Sequence, residues 1–177
     1  PDVVLREMLH LCSELLGLNR GRIVLADNLE ALMDLPPGSS LKVASASIRY
    51  AYGLTRDERE RGHFRRGEGI TGRVLATGQL IIVQDIDREP TFLCRTVQRD
   101  DLPPGPVSFI AMPVRVGLST VGVLACHRIR HRYRSLADDL TILGILATLI
   151  GQLLELRFTV EQRTRTLEAH NMALTQA

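Results

Sequence analysis

Two apolar, strand-like runs lie on either side of a very short connection in the second half of the chain. Ser108–Val116 and Thr120–His127 both read as β-strands, and only Gly117-Leu118-Ser119 separates them. So short a connection makes the two strands antiparallel, because parallel neighbours need a crossover of a dozen or more residues. The pair therefore predicts a hairpin within a central antiparallel sheet.

Hydrophobic periodicity predicts further elements on both sides of this hairpin. Apolar residues from Val3 to Leu16 recur at three- and four-residue steps, which is typical of an amphipathic helix. The remaining predictions are a helix stop at Gly17 and Asn19-Arg20-Gly21, strands at 22–27, 41–50 and 80–84, a short helix at 55–61, a helical stretch that stops at Thr77-Gly78, and a last helix from near Ser135 almost to the end. This order predicts an α+β fold, with helices on the faces of a central antiparallel sheet of five to six strands and a long C-terminal helix.

Residues 85–107 form a long connection without a hydrophobic period. The segment is rich in Asp, Arg and Pro, and it ends in Pro103-Pro104-Gly105-Pro106. A connection of this length inside a compact domain is usually a lid or a binding loop. We therefore expect residues 85–107 to cover a site.

Charge and composition argue against several kinds of partner. The 177 residues carry a formal charge of +2 with scattered basic residues, which disfavours nucleic acid or an anionic membrane surface. The most apolar stretch, 142–156, is interrupted by Gly, Thr, Gln and Glu and is shorter than the ~20 residues that span a bilayer. Three scattered cysteines and no signal peptide indicate a reducing cytoplasm. Because position 1 is not Met, we expect a fragment of a longer chain.

The segment Arg66–Val74 (RGEGITGRV) resembles the most recognisable stretch of GAF domains. Ile110–Val114 (IAMPV), followed by Val121–Leu124 (VGVL), resembles the last two strands of that family. The resemblance implies a GAF sensory domain over residues 1–157, with 158–177 as the start of a helical linker to a downstream module. We interpret the glycines of the first segment as turn formers that start a helix against the sheet. A Walker lysine motif is absent, which excludes a P-loop.

Glu89–Thr96 (EPTFLCRT) looks like the loop of GAF domains in NifA-type nitrogen-fixation regulators, which activate sigma-54 RNA polymerase. This resemblance implies a regulatory domain that senses a small effector, 2-oxoglutarate, in a pocket between one sheet face and the long loop. A dicarboxylate needs cationic partners, and Arg provides the best bidentate geometry. The predicted site residues are Arg95 as first choice, Arg73 as second, and Phe92, Phe109, Ile70, Thr71, Arg115 and His127, with Leu93 and Ala111 in the walls.

Cyclic-nucleotide binding, known in other GAF domains, fits this chain less well. Those domains carry an Asn-Lys pair after the last strand, where this chain has His127-Arg128 and then Tyr133. The acidic pair Asp138-Asp139 is present, but negative charge in the first turn of a helix explains it more simply.

Free-methionine-sulfoxide reductases of the GAF type provide the enzymatic alternative, because they use cysteine thiols. Cys94 and Cys126 are present, but the third cysteine, Cys12, lies in the first helix rather than in the loop. The five histidines lack neighbours at metal-ligand or catalytic spacing. We therefore predict a binding domain, with no catalytic residues, no metal and no resident cofactor.

The last helix carries a seven-residue apolar repeat, which is the period of a coiled coil. Its members are Leu146, Leu153, Val160, Leu167 and Leu174. The second seam position is apolar at Leu149 and Leu156 but polar at Arg163 and His170. We predict a homodimer through this helix, with a solvated tail as the alternative. A third possibility is a domain that binds no ligand and serves as a dimer scaffold or as a docking surface for a regulatory protein.

Overall fold

The structure, a computed structural model, describes residues 2–36, 38–39, 42–129 and 135–176. The helices are α1 (Asp2–Leu16), α2 (Leu29–Met33), α3 (Arg56–Arg61), α4 (Gly69–Thr77) and α5 (Leu136–Gln176), and the strands are β1 (Leu18–Ala26), β2 (Ser45–Ala51), β3 (His63–Arg65), β4 (Ile81–Val83), β5 (Val107–Val116) and β6 (Ser119–Ile129). The connection between β4 and β5, residues 84–106, is called the lid below. It contains two short 3-10 turns, at Ile86–Arg88 and Arg99–Asp101.

The six described strands form one antiparallel sheet in the order β3-β2-β1-β6-β5-β4. The predicted hairpin is confirmed, since β5 and β6 pair antiparallel along their length, from Val107 opposite Ile129 to Val116 opposite Ser119. Strand β6 also pairs with β1, and β5 pairs with β4, so the hairpin lies inside the sheet. The predicted α+β fold is therefore confirmed.

The helices divide between the two faces of this sheet. Helices α1 and α5 contact one another and pack on β1 and β5, and Gly151 of α5 lies so close to β5 that a Cβ there would be 2.3 Å from the carbonyl oxygen of Arg115. Helix α4 contacts β5 and β6 from the other face. Adjacent residues of β6 show this division, because Arg128 reaches Asp139 of α5 whereas His127 faces α4 and the lid.

Glycines form the turn that starts α4, as the sequence predicted. Gly67 and Gly69 have φ values of 80° and 62°, in the left-handed region that favours glycine. A Cβ on Gly72 would lie 2.3 Å from the carbonyl oxygen of Arg65. The helix then ends at Gly78, which has the left-handed conformation of a C-terminal cap. These residues bring the first turn of α4 close to β3.

Two predicted boundaries in the first half of the chain were wrong. Helix α1 ends before Gly17 as expected, but Asn19-Arg20-Gly21 lies inside β1 rather than in a turn. The strand continues through these residues because it bulges there, with Arg20 at a φ of 51°. The strand predicted at 41–50 begins only at Ser45, and positions 37, 40 and 41 lie outside the described residues.

Helix α5 is 41 residues long, and its two halves have different surroundings. Leu143, Ala147, Ile150 and Leu154 are buried against the domain, whereas every residue from Thr159 to Gln176 is exposed. By length and composition alone this helix could also cross a membrane. It contains an apolar stretch of 18 residues, of which 33% is buried in the domain. Core helices of soluble proteins pass the same test, so the expectation of no membrane segment stays a prediction.

Candidate functional site

A cavity lies between the first turn of α4, the middle of the lid and the face of β1, β5 and β6 opposite α5. It has about 370 Å³ of empty space, including the part open to solvent. Its apolar walls come from Ile70, Phe92 and Phe109, and the ring centroids of the two phenylalanines are 5.0 Å apart. The position agrees with the pocket expected between the sheet and the long loop.

Arg22 of β1 lies in this cavity with only 4% of its surface exposed. Its Nε donates to the carbonyl oxygen of Arg20 at 3.2 Å, and the guanidinium lies 5.4 Å from the centroid of the Phe109 ring. Its Nη2 is buried and has no hydrogen-bond partner among the described residues. Burial lowers the pKa of Arg22 to about 10, so the side chain remains charged at neutral pH. The cavity therefore contains a buried cation with a free donor.

His127 of β6 is 1% exposed and packs at 5.1 Å, between ring centroids, from Phe109, which lies opposite it in the sheet. Both ring nitrogens are buried without a hydrogen-bond partner among the described residues. Burial, together with the positive charges of Arg22, Arg20 and Arg99, lowers the pKa of His127 well below its usual value. The neutral ring therefore offers one donor and one acceptor to the cavity.

Thr96 provides a third polar group from the lid. Its hydroxyl is buried in the cavity and also lacks a partner among the described residues. The backbone around it is fixed from outside, because Arg61 of α3 donates to the carbonyl oxygens of Arg95 and Thr96 at 3.0 and 3.1 Å. This arrangement holds the Thr96 side chain toward Arg22 and His127 without using its hydroxyl.

Arg95, the first predicted ligand contact, lines the cavity but already has a counter-ion. Its guanidinium forms an ion pair with Glu68, the residue just before α4, and donates to the carbonyl oxygen of His63 at 2.8 Å. Hydrogen bonds from Arg95 and from the backbone N–H of Arg65 lower the pKa of Glu68 to about 2. Arg95 therefore fastens the lid to the start of α4.

The other predicted residues divide into two groups. Ile70, Thr71, Phe92, Phe109 and His127 all line the cavity together with Leu93. Arg73, Arg115 and Ala111 do not. Arg73 is exposed and donates to Thr91, Arg115 donates to the carbonyl oxygen of Gly78, and Ala111 is buried within the sheet. Arg73 and Arg115 therefore lie outside this cavity.

Sequence reasoning missed Arg22 and Thr96, which are two of the four buried polar residues that line the cavity, the others being Thr71 and His127. Arg22 reads as the polar first residue of a strand predicted at 22–27. Its burial follows from a longer β1 that pairs on both sides, with β2 and with β6. Alternation gives no signal for it, because β1 is buried on both faces from Gly21 to Ala26.

The three cysteines lie in surroundings that favour the protonated thiol. Cys12 and Cys126 are buried and Cys94 is half-buried in the lid. Burial raises the pKa of Cys126 to about 12 and also raises the pKa values of Cys12 and Cys94. A reactive thiol needs the opposite shift, since the thiolate is the nucleophile.

The residues considered for cyclic-nucleotide binding do not form one site. His127 faces the cavity, whereas Arg128 and Asp139 pair on the other side of the sheet, with 2.6 Å between Nε and Oδ2. Asp138 is exposed in the first turn of α5, and Tyr133 and His131 lie outside the described residues. Among the parts of the chain that the structure describes, no cluster of His, Cys, Asp and Glu could hold a metal ion.

Comparison with known proteins identifies the regulators that this chain resembles. VnfA, a nitrogen fixation protein of Azotobacter vinelandii, is 34% identical over 166 residues, which is 93% of this chain and 31% of VnfA. The Nif-specific regulatory protein of Azospirillum lipoferum is 33% identical over 172 residues, 95% of this chain and 25% of that protein. The chain thus spans less than a third of the length of either relative. The expected resemblance to nitrogen-fixation regulators is confirmed.

Solved structures with the same fold include regulatory domains and enzymes. The A. aeolicus nlh2 GAF domain in an inactive state has a TM-score of 0.71 at 22% identity, covering 88% of this chain and 85% of that one. The type II free methionine-R-sulfoxide reductase from Thermoplasma acidophilum has a TM-score of 0.61 at 14% identity, covering 86% and 91%. These likenesses show the fold alone. The model of the GAF domain family matches residues 1–154, and the chain therefore belongs to that family.

Proposed function

We propose that this GAF domain is the effector-sensing part of a cytoplasmic transcriptional activator of the nitrogen-fixation type. In this proposal it binds a small carboxylate in the cavity and relays the bound state through α5 to a downstream ATPase module that acts with sigma-54 RNA polymerase. Support comes from the two regulators that match more than nine-tenths of the chain. The proposed effector is 2-oxoglutarate.

The observation that carries the ligand proposal is the concentration of unsatisfied polar atoms in one place. Five buried side-chain polar atoms lack a hydrogen-bond partner among the described residues, and four of them belong to Arg22, Thr96 and His127. Leaving such a group unpaired costs about 1–3 kcal/mol, so four in one cavity point to a partner that the protein does not provide. A ligand carboxylate would accept hydrogen bonds from Arg22 and Thr96, and the neutral His127 ring would donate to a keto oxygen.

The closed lid limits what can enter. Most of the empty space in the cavity is too narrow for a water molecule. The lid must therefore shift outward to admit a five-carbon dicarboxylate. The polar contacts that fasten the lid are largely made by arginines near its surface, including Arg61, Arg95 and Arg99. Exposed contacts of this kind are individually weak, which suits a lid that opens for a ligand.

Calorimetry of the 177-residue chain with 2-oxoglutarate tests this proposal. We expect Arg22→Met to weaken binding roughly ten- to hundredfold, because a charge-assisted hydrogen bond to a buried group contributes about 1.5–3 kcal/mol. Arg73→Met is the matched control, since Arg73 is exposed and outside the cavity. We expect it to change affinity less than twofold.

Two results would contradict the proposal at different levels. No binding of 2-oxoglutarate to the unaltered chain would remove that effector and favour a domain that serves for dimerisation or for docking a regulatory protein. Equal binding by the Arg22→Met variant would remove Arg22 as the anchor while leaving the effector. If the NMR resonances of Thr96 and His127 do not shift when 2-oxoglutarate is added, the ligand binds outside this cavity.

We propose a binding function in preference to a reductase because of the thiols. The reductases among the structural neighbours share the fold at 14–19% identity. Here the pKa values of Cys12, Cys94 and Cys126 are all raised. We expect no thiol-dependent reduction of free methionine sulfoxide. Turnover that is lost in Cys94→Ser or Cys126→Ser would overturn this view and establish the enzyme.

We also propose that the domain forms a homodimer through α5. Val160, Leu167 and Leu174 are 54–63% exposed, and Val3 and Leu15 of α1, on the same side of the sheet, are 79% and 71% exposed. Burying such a side chain is worth about 1.5–3 kcal/mol, which favours a partner helix. Two adjacent α5 helices would bring two downstream modules together and give the ligand signal a route to them.

A further inference from the structure

The two arginines that line the cavity differ in how their charge is compensated. Arg22 is buried with a free Nη2, as described above. Arg95 is paired with Glu68, and the two side chains are 34% and 31% exposed. Both arginines border the same space. The cavity therefore contains one cation that is open to a ligand and one that is occupied by a carboxylate of the protein itself.

Glu68 does not depend on Arg95 for its position. Its other carboxylate oxygen, Oε2, accepts from the backbone N–H of Arg65 at 2.9 Å, and its backbone begins α4. The Glu68 carboxylate would therefore remain hydrogen-bonded in the absence of Arg95. Because it is partly exposed, it could also be solvated by water at little cost.

Arg95 likewise remains at the cavity without Glu68. Its Nη1 donates to the carbonyl oxygen of His63, and its guanidinium lies 5.7 Å from the centroid of the Phe64 ring. Its backbone carbonyl is fixed by Arg61. Exchange of one carboxylate for another at Nη2 therefore needs no large movement of Arg95.

We propose that Glu68 is an internal competitor for the second carboxylate of a dicarboxylate ligand. In the unliganded domain Glu68 neutralises Arg95, and a dicarboxylate anchored at Arg22 displaces it and takes its place. A monocarboxylate uses Arg22 alone and leaves the ion pair intact. The inference rests on the proposed carboxylate site. It makes Glu68 a specificity-determining residue, because Glu68 weakens the binding of dicarboxylates and not of monocarboxylates. Glu68 thereby sets the effector concentration to which the domain responds.

The test compares two 2-oxo acids that differ by one carboxylate, 2-oxoglutarate and 2-oxobutyrate, by calorimetry on the 177-residue chain. Glu68→Gln keeps the shape and the acceptor for Arg65 but removes the competing charge. We expect it to tighten 2-oxoglutarate binding about fivefold, the scale of a partly exposed ion pair, and to leave 2-oxobutyrate within twofold. The matched control is Glu89→Gln, which removes a lid carboxylate that contacts Thr91 and does not line the cavity.

A second variant tests the same contact from the other side. Because Arg95 also fastens the lid, the readout is the ratio of the two affinities, and Arg95→Met should weaken 2-oxoglutarate binding relative to 2-oxobutyrate binding. Equal affinity of 2-oxoglutarate for Glu68→Gln and the unaltered chain, or equal tightening of both acids, overturns the competitor role. If that happens while Arg22→Met still weakens binding roughly ten- to hundredfold, the proposed carboxylate site stands. If neither acid binds any of the variants or the unaltered chain, the carboxylate site fails, and the competitor role fails with it.

Discussion

Adjacent residues of β6 show two ways in which a buried polar side chain can be accommodated. Arg128 lies on the α5 side of the sheet, and its guanidinium pairs with Asp139, which is fully buried. His127 lies on the lid side, and neither of its ring nitrogens has a partner among the described residues. One face of the sheet thus satisfies its buried polar groups and the other leaves them open.

This difference separates groups that the fold needs from groups that it tolerates. A paired charge connects α5 to the sheet, and removing either member of such a buried ion pair is strongly destabilising. Unpaired groups such as Arg22 and His127 cost stability in the unliganded domain, and they are expected where a ligand completes the set. Substitutions on the two faces should therefore have opposite effects on the free energy of unfolding.

The largest effect is expected on the α5 face. Asp139→Ala should lower the free energy of unfolding by about 3–5 kcal/mol, because it removes one side of a buried ion pair. Urea denaturation followed by circular dichroism gives this number. Asp138→Ala is the control, since its side chain is exposed at the start of the same helix and should cost less than about 1 kcal/mol. Similar losses in both variants would mean that the helix N-terminus, rather than the ion pair, carries the effect.

A smaller effect is expected from pH on the lid face. Because the folded-state pKa of His127 is lowered, the unfolded chain binds a proton at this residue before the folded chain does. Stability from this residue is therefore fully present above pH 6.5 and is lost as the pH falls below it, by at most about 2 kcal/mol at pH 5. His127→Leu should remove that slope, and His170→Gln, at an exposed position, should keep it. A slope that survives in His127→Leu would assign it to another group.

Patterns that repeat along the sequence predicted most of the fold. The β5–β6 hairpin, α1, α4 and α5 were all expected, because each is long enough for its hydrophobic period to report which side is buried. Helix α2 and strand β3 have five and three residues, which is too short for a period, and both were missed. Their positions depend on contacts with distant parts of the chain, such as the pairing of β3 with β2.

The candidate site was predictable to the extent that side-chain direction follows a regular period. Phe109 and His127 both line the cavity, and the sheet register puts them opposite one another. Arg115 has the same strand parity as Phe109, but it lies near the other end of β5, where its side chain donates to Gly78 at the end of α4, whereas the cavity borders the first turn of that helix. Arg73 lies outside the cavity because it is on the exposed side of α4, whose buried residues include Ile70, Thr71 and Val74. The occupation of Arg95 by Glu68 depends on a contact that no local pattern encodes.

A gain rather than a loss is expected when the unpaired cation is removed. Arg22→Met should raise the free energy of unfolding of the unliganded domain by about 1 kcal/mol, because it replaces an incompletely bonded buried charge by an apolar side chain of similar length. Arg128→Met is the matched variant on the other face and should be strongly destabilising, because it removes one side of a buried ion pair. Loss of stability in both variants would show that Arg22 serves the fold and would weaken the assignment of the cavity as a site.

The smallest effect on the folding of the domain itself is expected beyond the sheet, in the second half of α5. Residues 159–176 are all exposed, and the contact of this segment with the domain includes a hydrogen bond from Gln162 to Asp34 at 2.5 Å. A chain that ends at Phe158 should therefore retain the free energy of unfolding of the monomer within about 0.5 kcal/mol, as is usual for surface changes.

The oligomeric state of the chain that ends at Phe158 should change, because the exposed Val160, Leu167 and Leu174 are lost. Arg163 and His170 interrupt the second seam position, so we expect the full chain to sediment as a dimer of moderate affinity, at micromolar concentration, and the shortened chain as a monomer. Leu167→Gln in the full chain distinguishes the apolar seam from mere length and should also give monomers. If the full chain sediments as a monomer at micromolar concentration, this half of α5 is a solvated helix and the homodimer proposal is wrong.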